Sequence, residues 1–188
     1  MSISDIANLA VALTSIVAIF LGINRHKAQN TQARQLVGIQ ILRDFEDKFY
    51  RSEHLRQLRY FVCVYYKRHG VDAETPPEAW RLADELAAIC FYVNKGYVDA
   101  EAAWSTLYFW LDNYWFLFKG YADGLKTEYA GVDYLSDFRE VHATLTRFGE
   151  AHRNLPAAQV RHDSKAIAQF LDDEIVETSD SRRGSGHR

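Results

Sequence analysis

One aspartate lies inside the most aromatic part of the chain. The stretch Thr106–Tyr121, TLYFWLDNYWFLFKGY, holds eight aromatic residues in sixteen positions, and Asp112 is the acidic residue among them. An ionised carboxylate in apolar surroundings is costly unless it is paired and hydrogen-bonded. Because a basic segment upstream offers Arg56 and Arg59, we predict a buried ion pair between Asp112 and one of these arginines. A catalytic carboxylate at Asp112 is the alternative interpretation.

The common patterns of catalytic and metal-binding residues do not occur in this sequence. No glutamate is followed three residues later by a histidine, the pattern of di-iron sites in helical bundles. Motifs of the His-x-x-x-His and Gly-x-Ser-x-Gly types and phosphate-binding glycine loops are absent as well. Cys63 and Cys90 are too far apart for a Cys-x-x-Cys pair. We therefore expect no catalytic residue, no bound metal and no cofactor.

The histidines of the chain stand singly rather than in pairs. His142 lies within an apolar helical pattern, between Val141 and Leu145. A histidine in such a position is more often a hydrogen-bonded core residue than a ligand, and we expect this role for His142.

A cluster of basic residues follows the first amphipathic segment. Its members are Arg51, Arg56, Arg59, Lys67 and Arg68. A solvated face or internal ion pairing accounts for such a cluster, and contact with anionic lipid headgroups is the alternative. The net charge of −3 and the pI near 6.2 argue against a nucleic-acid partner.

The apolar residues after Lys27 recur at helical spacing, so the predicted fold class is all-α, with a bundle of about five helices. Ser52 and Asp99 are suited to cap the N-termini of two of these helices. The aromatic stretch carries apolar residues on almost every side, which is typical of a central core helix. The alternatives are a ligand pocket or a membrane-facing surface lined by these rings.

The first amphipathic segment, residues 35–50, carries an apolar stripe. This stripe is the candidate interaction face, and it consists of Val37, Ile41, Leu42, Phe45 and Phe49. It can pack on the rest of the domain or pair with another copy of the chain. Gly38 is the weak helix former within the segment.

An uncharged run of eighteen residues, Ile6–Ile23, precedes the amphipathic segments. As a helix it would extend about 27 Å, close to the roughly 30 Å hydrocarbon core of a bilayer. A signal peptide is disfavoured because Asp5 replaces the usual positive charges and no small-x-small cleavage site follows. An amphipathic surface helix is disfavoured because a helix formed by this run would carry apolar residues on every side. We predict a transmembrane anchor in residues 1–24.

The charges that flank this run predict its orientation. Arg25, Lys27 and Arg34 follow the run, and Asp5 precedes it. The positive-inside rule then places the N-terminus outside the membrane and a helical domain, residues 25–176, in the cytoplasm. The last residues, 177–188, are polar and glycine-containing, so we expect a disordered tail.

The order of these features resembles a known family. The apolar run leads into INRHKAQNTQARQLV and LRDFEDKFYRSEHLRQLRYF, and a helix ending in FYVNKGYVDAEAAW precedes LYFWLDNYWFLFKGY and DYLSDFREVHATL. From about Ile6 to Leu145 this pattern resembles domain of unknown function 4760, an uncharacterised bacterial family of membrane-anchored helical proteins. The resemblance implies a bacterial inner-membrane protein and supplies no activity or site residues. The chain has AAICFYV where the family pattern would place a mid-helix glutamate.

These observations predict a non-enzymatic, membrane-tethered helical adaptor, sensor or accessory subunit. Its expected partners are membrane lipid and either another protein or a second copy of the chain. One alternative is a membrane effector that self-assembles through its span, where Ala7, Ala10 and Ala18 would favour helix packing. The other alternative is a small-molecule receptor or an enzyme with a cleft beside Asp112.

Overall fold

The computed structural model of the protein describes residue 29 and residues 31–184, and these residues form helices and turns without a strand. The all-α prediction is therefore confirmed. Six long helices and one short helix follow each other in the described part of the chain, slightly more than the predicted five. They are α1, residues 31–51; α2, Glu53–His69; α3, Pro77–Asn94; α4, Ala100–Glu128; α5, Ser136–Arg153; α6, Ala158–Arg161; and α7, Ser164–Gly184.

The helix boundaries follow local chemistry. The hydroxyl of Ser52 accepts a hydrogen bond from the backbone N–H of Leu55 at 3.4 Å, and Asp99 accepts one from Ala102 at 2.9 Å. Both side chains satisfy donors that the first helical turn leaves free. The two predicted N-caps are confirmed. Gly70 ends α2 with a φ of 88°, a left-handed conformation that glycine adopts without strain.

The helices pack in two connected groups. α2 lies between α3 and α7, while α4 packs against α5 and α3, and α3 also contacts α5. A single apolar core runs through both groups, with fully buried leucines contributed by α2, α3, α4 and α5: Leu55, Leu82, Leu86, Leu107, Leu111 and Leu145. Burial of these side chains is the main source of stability in a bundle of this kind.

The aromatic stretch forms the middle of α4, which at 29 residues is the longest helix in the described part of the chain. Tyr114 and Phe118 are completely buried, and Tyr108 and Trp115 are nearly so. The prediction of a central core helix is confirmed for this part of the surface of α4. Phe109 differs, because 58% of it is exposed.

The apolar stripe of α1 faces the bundle along most of its length. Leu42 and Phe49 are buried in the core, and Ile41 and Phe45 are half-buried against it. Of the two predicted roles for this stripe, packing on the domain is the one observed. Val37 is the exception within the stripe, since it is 48% exposed.

Gly38 marks the closest approach between α1 and the turn that joins α3 to α4. A Cβ atom at this position would lie 2.2 Å from the carbonyl oxygen of Tyr97. Such a distance is far inside van der Waals contact, so α1 can rest on this turn because residue 38 has no side chain. Packing therefore requires glycine at position 38, although glycine is a weak helix former.

The structure corrects the predicted start of the C-terminal tail. α7 continues to Gly184, past the predicted boundary at residue 177. Glu177 lies 3.3 Å from the guanidinium of Arg59, and Thr178 is buried. Residues 185–188 lie outside the described part of the chain.

The predicted transmembrane anchor, residues 1–24, also lies outside the described residues. Within the residues that are described, no helix combines the length and the apolar character needed to cross a bilayer. The span therefore stays a prediction.

Replacement of Gly38 by alanine tests the contact between α1 and the α3–α4 turn. Because the new methyl group would collide with the Tyr97 backbone, we expect the free energy of unfolding to fall by about 1–3 kcal/mol. Gly124→Ala in α4 is the control, since no atom outside the adjoining backbone of α4 lies within 4 Å of its Cβ position. At position 124 the better helix propensity of alanine should raise the free energy of unfolding by about 0.5–1 kcal/mol. Urea unfolding followed by circular dichroism measures both, and a Gly38→Ala variant as stable as wild type would contradict this packing.

Candidate functional site

The first charged cluster of the bundle centres on Arg59, in the middle of α2, whose side chain is 1% exposed. Its Nε and Nη2 donate hydrogen bonds to the two carboxylate oxygens of Glu174 on α7, at 2.8 and 2.7 Å. Its Nη1 donates to the carbonyl of Phe49 near the end of α1, at 3.0 Å. The planar guanidinium matches the carboxylate in a two-point contact. One side chain thus joins three helices.

α4 completes this cluster through Tyr114 and Trp110. The Tyr114 hydroxyl donates to Oε2 of Glu174 at 2.5 Å, and Sγ of Cys63 lies 3.9 Å from the same hydroxyl. The Arg59 Cζ lies 5.0 Å from the centroid of the Trp110 ring, a cation–π distance. α1, α2, α4 and α7 therefore meet at one buried ion pair.

The protonation states in this cluster are fixed by the surroundings. Burial alone lowers the pKa of Arg59, but the hydrogen bonds and charge of Glu174 outweigh it and raise the pKa above its usual value. Burial, followed by the nearby Cys63 and Glu174, raises the pKa of Tyr114 well above its usual value. Burial likewise raises the pKa of the Cys63 thiol, with Glu174 as the next cause. Near neutral pH the guanidinium of Arg59 therefore keeps its charge, and the Tyr114 hydroxyl and the Cys63 thiol keep their protons.

The second cluster surrounds Asp112 of α4, whose side chain is 6% exposed. Arg161 of α6 donates from Nε to Oδ2 at 2.9 Å and from Nη2 to Oδ1 at 3.3 Å. Nε2 of His142 on α5 lies 2.8 Å from Oδ1. The carboxylate thus connects α4 to α5 and to the short α6, and the expected hydrogen bond of His142 is confirmed.

His162 is a third neighbour of this carboxylate. Its Nε2 lies 3.1 Å from Oδ2 of Asp112, and its ring is stacked on Phe116 with centroids 4.7 Å apart. Despite this distance, Nε2 of His162 has no hydrogen-bond partner among the described residues. The contact is an ion pair when the imidazole is protonated.

The neighbours of Asp112 keep it ionised. Burial alone raises the pKa of this carboxyl, but the contacts with His142, His162 and Arg161 outweigh burial and hold the pKa well below its usual range. Burial lowers the pKa of Arg161, and its bonds to Asp112 more than reverse this. A general acid or base works best with a pKa near the operating pH, so Asp112 is poorly suited to either task.

The predicted pairing of Asp112 with Arg56 or Arg59 is wrong. Arg59 binds Glu174, and Arg56 binds Glu53 on its own helix. The reason lies in the helical rotation of about 100° per residue, which turns positions 112 and 114 to nearly opposite sides of α4. Tyr114 faces α2 and α7, while Asp112 faces α5 and α6. The prediction that Asp112 is buried and ion-paired is confirmed.

Three residues of these clusters were not identified from the sequence: Glu174, Arg161 and His162. A signal existed for Glu174, because it continues the spacing of Ile167, Phe170 and Leu171 and so falls on the buried side of α7. Arg161 and His162 lie at a four-residue helix, which is too short to show a period.

Ion pairing accounts for most of the basic cluster on and before α2. Besides Arg56 and Arg59, Arg51 binds Asp47 at 2.8 Å and Lys67 binds Asp172 of α7. Internal pairing is the predicted alternative that the structure shows.

A cleft of about 530 Å³ lies beside the Asp112 cluster, between α4 and α7. Its walls combine aromatic and polar side chains. They are Trp104, Ser105, Tyr108, Phe109, Asp112 and Asn113 from α4, Ala166, Gln169, Phe170 and Asp173 from α7, and Leu155 and Arg161 from the segment between α5 and α7. Burial raises the pKa of Tyr108 to about 12, so its phenol stays neutral. The volume is in the range of roughly 300–1,000 Å³ typical of small-molecule sites.

Within the part of the chain that the structure describes, no group of three or more histidine, cysteine or acidic residues is placed to hold a metal ion. Cys63 and Cys90 are both buried. Burial raises the pKa of each thiol, so neither is an activated nucleophile.

Comparison with known proteins gives no relative: no family model, no curated protein and no solved structure matches this chain.

The Arg59–Glu174 pair can be tested by a double-mutant cycle. Arg59→Met leaves the Glu174 charge buried without its partner, and Glu174→Leu does the same to Arg59. We expect either single change to lower the free energy of unfolding by about 3–5 kcal/mol. The double variant should be more stable than either single one, because it buries no unpaired charge. Urea unfolding measures the cycle, and additive losses would show that the two side chains do not interact.

The Asp112 cluster should give stability a defined pH dependence. Because the pKa of Asp112 is lowered in the folded state, the unfolded chain binds the additional proton below about pH 4. The contribution of this carboxylate is therefore present above that pH, and it is lost as the pH falls towards the folded pKa. We expect Asp112→Asn to be less stable than wild type at pH 7 by about 2 kcal/mol or more.

Unfolding at pH 7, 5 and 3 measures this difference, with the exposed Asp173→Asn as a control. The difference in free energy of unfolding between wild type and Asp112→Asn should narrow on acidification. The free energy of unfolding of the control should follow that of wild type at each pH. A gap that is constant from pH 7 to pH 3 would contradict the assignment.

Proposed function

We propose that the protein is a membrane-tethered helical module of the bacterial inner membrane that works through contacts with other proteins, as an adaptor, sensor or accessory subunit. In this proposal residues 1–24 form the span, the N-terminus lies outside, and the bundle lies in the cytoplasm. The support is the uncharged run Ile6–Ile23 followed by Arg25, Lys27 and Arg34. The bundle would then be held at a fixed distance from the bilayer by α1.

The observation that carries the proposal is the change in environment along α1. Residues 31–37 are all exposed, whereas Leu42 and Phe49 further along the helix are buried in the core. Three aliphatic side chains at and just beyond the end of this exposed part are exposed as well, Leu36 to 70% and Val37 and Ile39 each to 48%. We name Leu36, Val37 and Ile39 the aliphatic patch of α1.

The position of this patch favours a protein partner. Leu36 and Val37 lie between the predicted span and Gly38, and Ile39 lies between Gly38 and Leu42, the two residues that fix α1 to the bundle. Leu36 and Ile39 lie about 60° apart around the helix, and exposed aliphatic side chains that lie close together typically mark a contact surface. A partner helix that leaves the same membrane would run alongside α1 and cover the patch.

The two ionic clusters support contact rather than catalysis as the task of the bundle. Among the residues that the structure describes, Glu174 and Asp112 are the buried carboxylates, and each is paired with an arginine. Such pairs hold helices in place, and the lowered pKa of Asp112 makes this carboxylate a poor general acid or base near neutral pH.

Self-assembly is the second candidate, and the same patch favours it. Two copies tethered in one membrane by their N-terminal segments would lie parallel. Leu36 and Ile39 of one copy would then meet the same residues of the other in a symmetric contact.

Photo-cross-linking in native membranes tests the proposal. A photo-reactive residue at Ile39 of the full chain is expected to give a discrete adduct, since a partner would cover this position. Val176 of α7 is the matched control, because it is also exposed and aliphatic and lies outside the patch. The mass of the adduct distinguishes a different protein from a second copy. No adduct at position 39, or equal adducts at both positions, would contradict the proposal.

Deletion of residues 1–24 gives the second control in the same experiment. The shortened chain is expected to leave the carbonate-washed membrane pellet and to lose the adduct at position 39. A shortened chain that stays in the pellet would contradict the tether, whatever the cross-linking result.

A further inference from the structure

The cleft between α4 and α7 has aromatic rings on both walls. On the α4 side Trp104 and Tyr108 are stacked, with centroids 5.7 Å apart. Phe109 of α4 and Phe170 of α7 meet edge to face at 5.9 Å. A ligand in the cleft would therefore lie beside aromatic rings of both helices, and Phe109 offers it the most exposed ring, whose face carries partial negative charge.

The charged residues of the cleft wall leave an excess of negative charge. Two carboxylates, Asp112 and Asp173, face one guanidinium, Arg161. Arg161 is bound to Asp112 through Nε and Nη2, and its Nη1 donates to the carbonyl of Pro156 at 2.5 Å. Asp173 instead accepts a hydrogen bond from the neutral amide of Gln169 at 2.7 Å. The uncompensated charge of the cleft therefore belongs to Asp173.

The rings in this region of the fold already hold cations. The guanidinium of Arg153 lies 5.7 Å from the centroid of Trp104, and that of Arg59 lies 5.0 Å from Trp110. Arg153 is neutralised by Glu101 at 2.7 Å and is not part of the cleft wall. An aromatic surface beside an uncompensated carboxylate is the combination by which proteins recognise alkylated ammonium groups.

From this geometry we infer that the cleft between α4 and α7 is a binding site for a small organic cation with apolar substituents, such as a quaternary ammonium compound. The rings of Trp104, Tyr108, Phe109 and Phe170 would enclose the apolar part, and Asp173 would face the positive charge. The inference goes beyond the proposed function, because it depends neither on the membrane tether nor on a protein partner.

Binding is tested with benzyltrimethylammonium, which combines a ring with a quaternary ammonium group. The full chain is kept in maltoside micelles, since choline-containing lipids would compete with the probe, and protein-free micelles serve as the blank. Saturation-transfer NMR should show saturable binding with a Kd in the millimolar range or below. Benzyl alcohol, which is neutral, and benzenesulfonate, which is an anion, should bind at least about threefold more weakly, given the size of a cation–π contact.

Three variants connect the binding to the cleft. Asp173→Asn and Phe109→Ala should each weaken binding about three- to fivefold, since each removes one exposed contact of the expected strength. Asp172→Asn is the matched control: it removes the same charge one residue away, where the side chain pairs with Lys67 of α2 outside the cleft. The Kd of Asp172→Asn for benzyltrimethylammonium should stay within about twofold of the wild-type value, because salt screens the exposed charge of Asp172.

Circular dichroism and thermal unfolding confirm that the exposed substitutions leave the bundle folded. Equal binding of the three probes, equal effects of Asp172→Asn and Asp173→Asn, or no saturable binding of benzyltrimethylammonium would each overturn the inference.

Discussion

The buried pair of Arg59 and Glu174 is the constraint on which the arrangement of the bundle depends. A guanidinium removed from water must keep its partners, because an unpaired buried charge costs several kcal/mol. Those partners come from α7, from the end of α1 and from the rings of α4, so none of these helices can move independently. The position of α7 in turn fixes one wall of the aromatic cleft. The contact of Arg59 with the end of α1 likewise determines which turns of α1 are exposed.

α4 connects this cluster to the second one. Tyr114 on one side of α4 binds Glu174, and Asp112 on the opposite side binds Arg161 and His142. The aromatic helix thus holds α7 with one face and α5 and α6 with the other. Phe109 is left at the surface, where it borders the cleft. The same helix therefore provides both the core of the fold and its candidate binding wall.

Much of this architecture could be predicted from single-helix patterns. Helical spacing identified the all-α class, the N-caps Ser52 and Asp99 and the buried character of α4, because these properties depend on neighbouring residues. The partner of Asp112 could not be predicted in this way, since it depends on how α4 is rotated against helices distant in the sequence. Arg161 lies 49 residues away from Asp112, and Glu174 lies 115 residues away from Arg59. The cleft depends on two helices at once and has no signature in either.

Hydrogen–deuterium exchange of the full chain tests most directly whether one ion pair joins four helices. If Arg59 connects them, the amides of residues 42–49, 55–66, 107–118 and 167–178 should exchange slowly and with similar protection, as one cooperative unit. The amides of residues 34–37, in the exposed first turns of α1, should exchange much faster. Fast and independent exchange of α7, with α2 and α4 still protected, would contradict the central role of the Arg59–Glu174 pair.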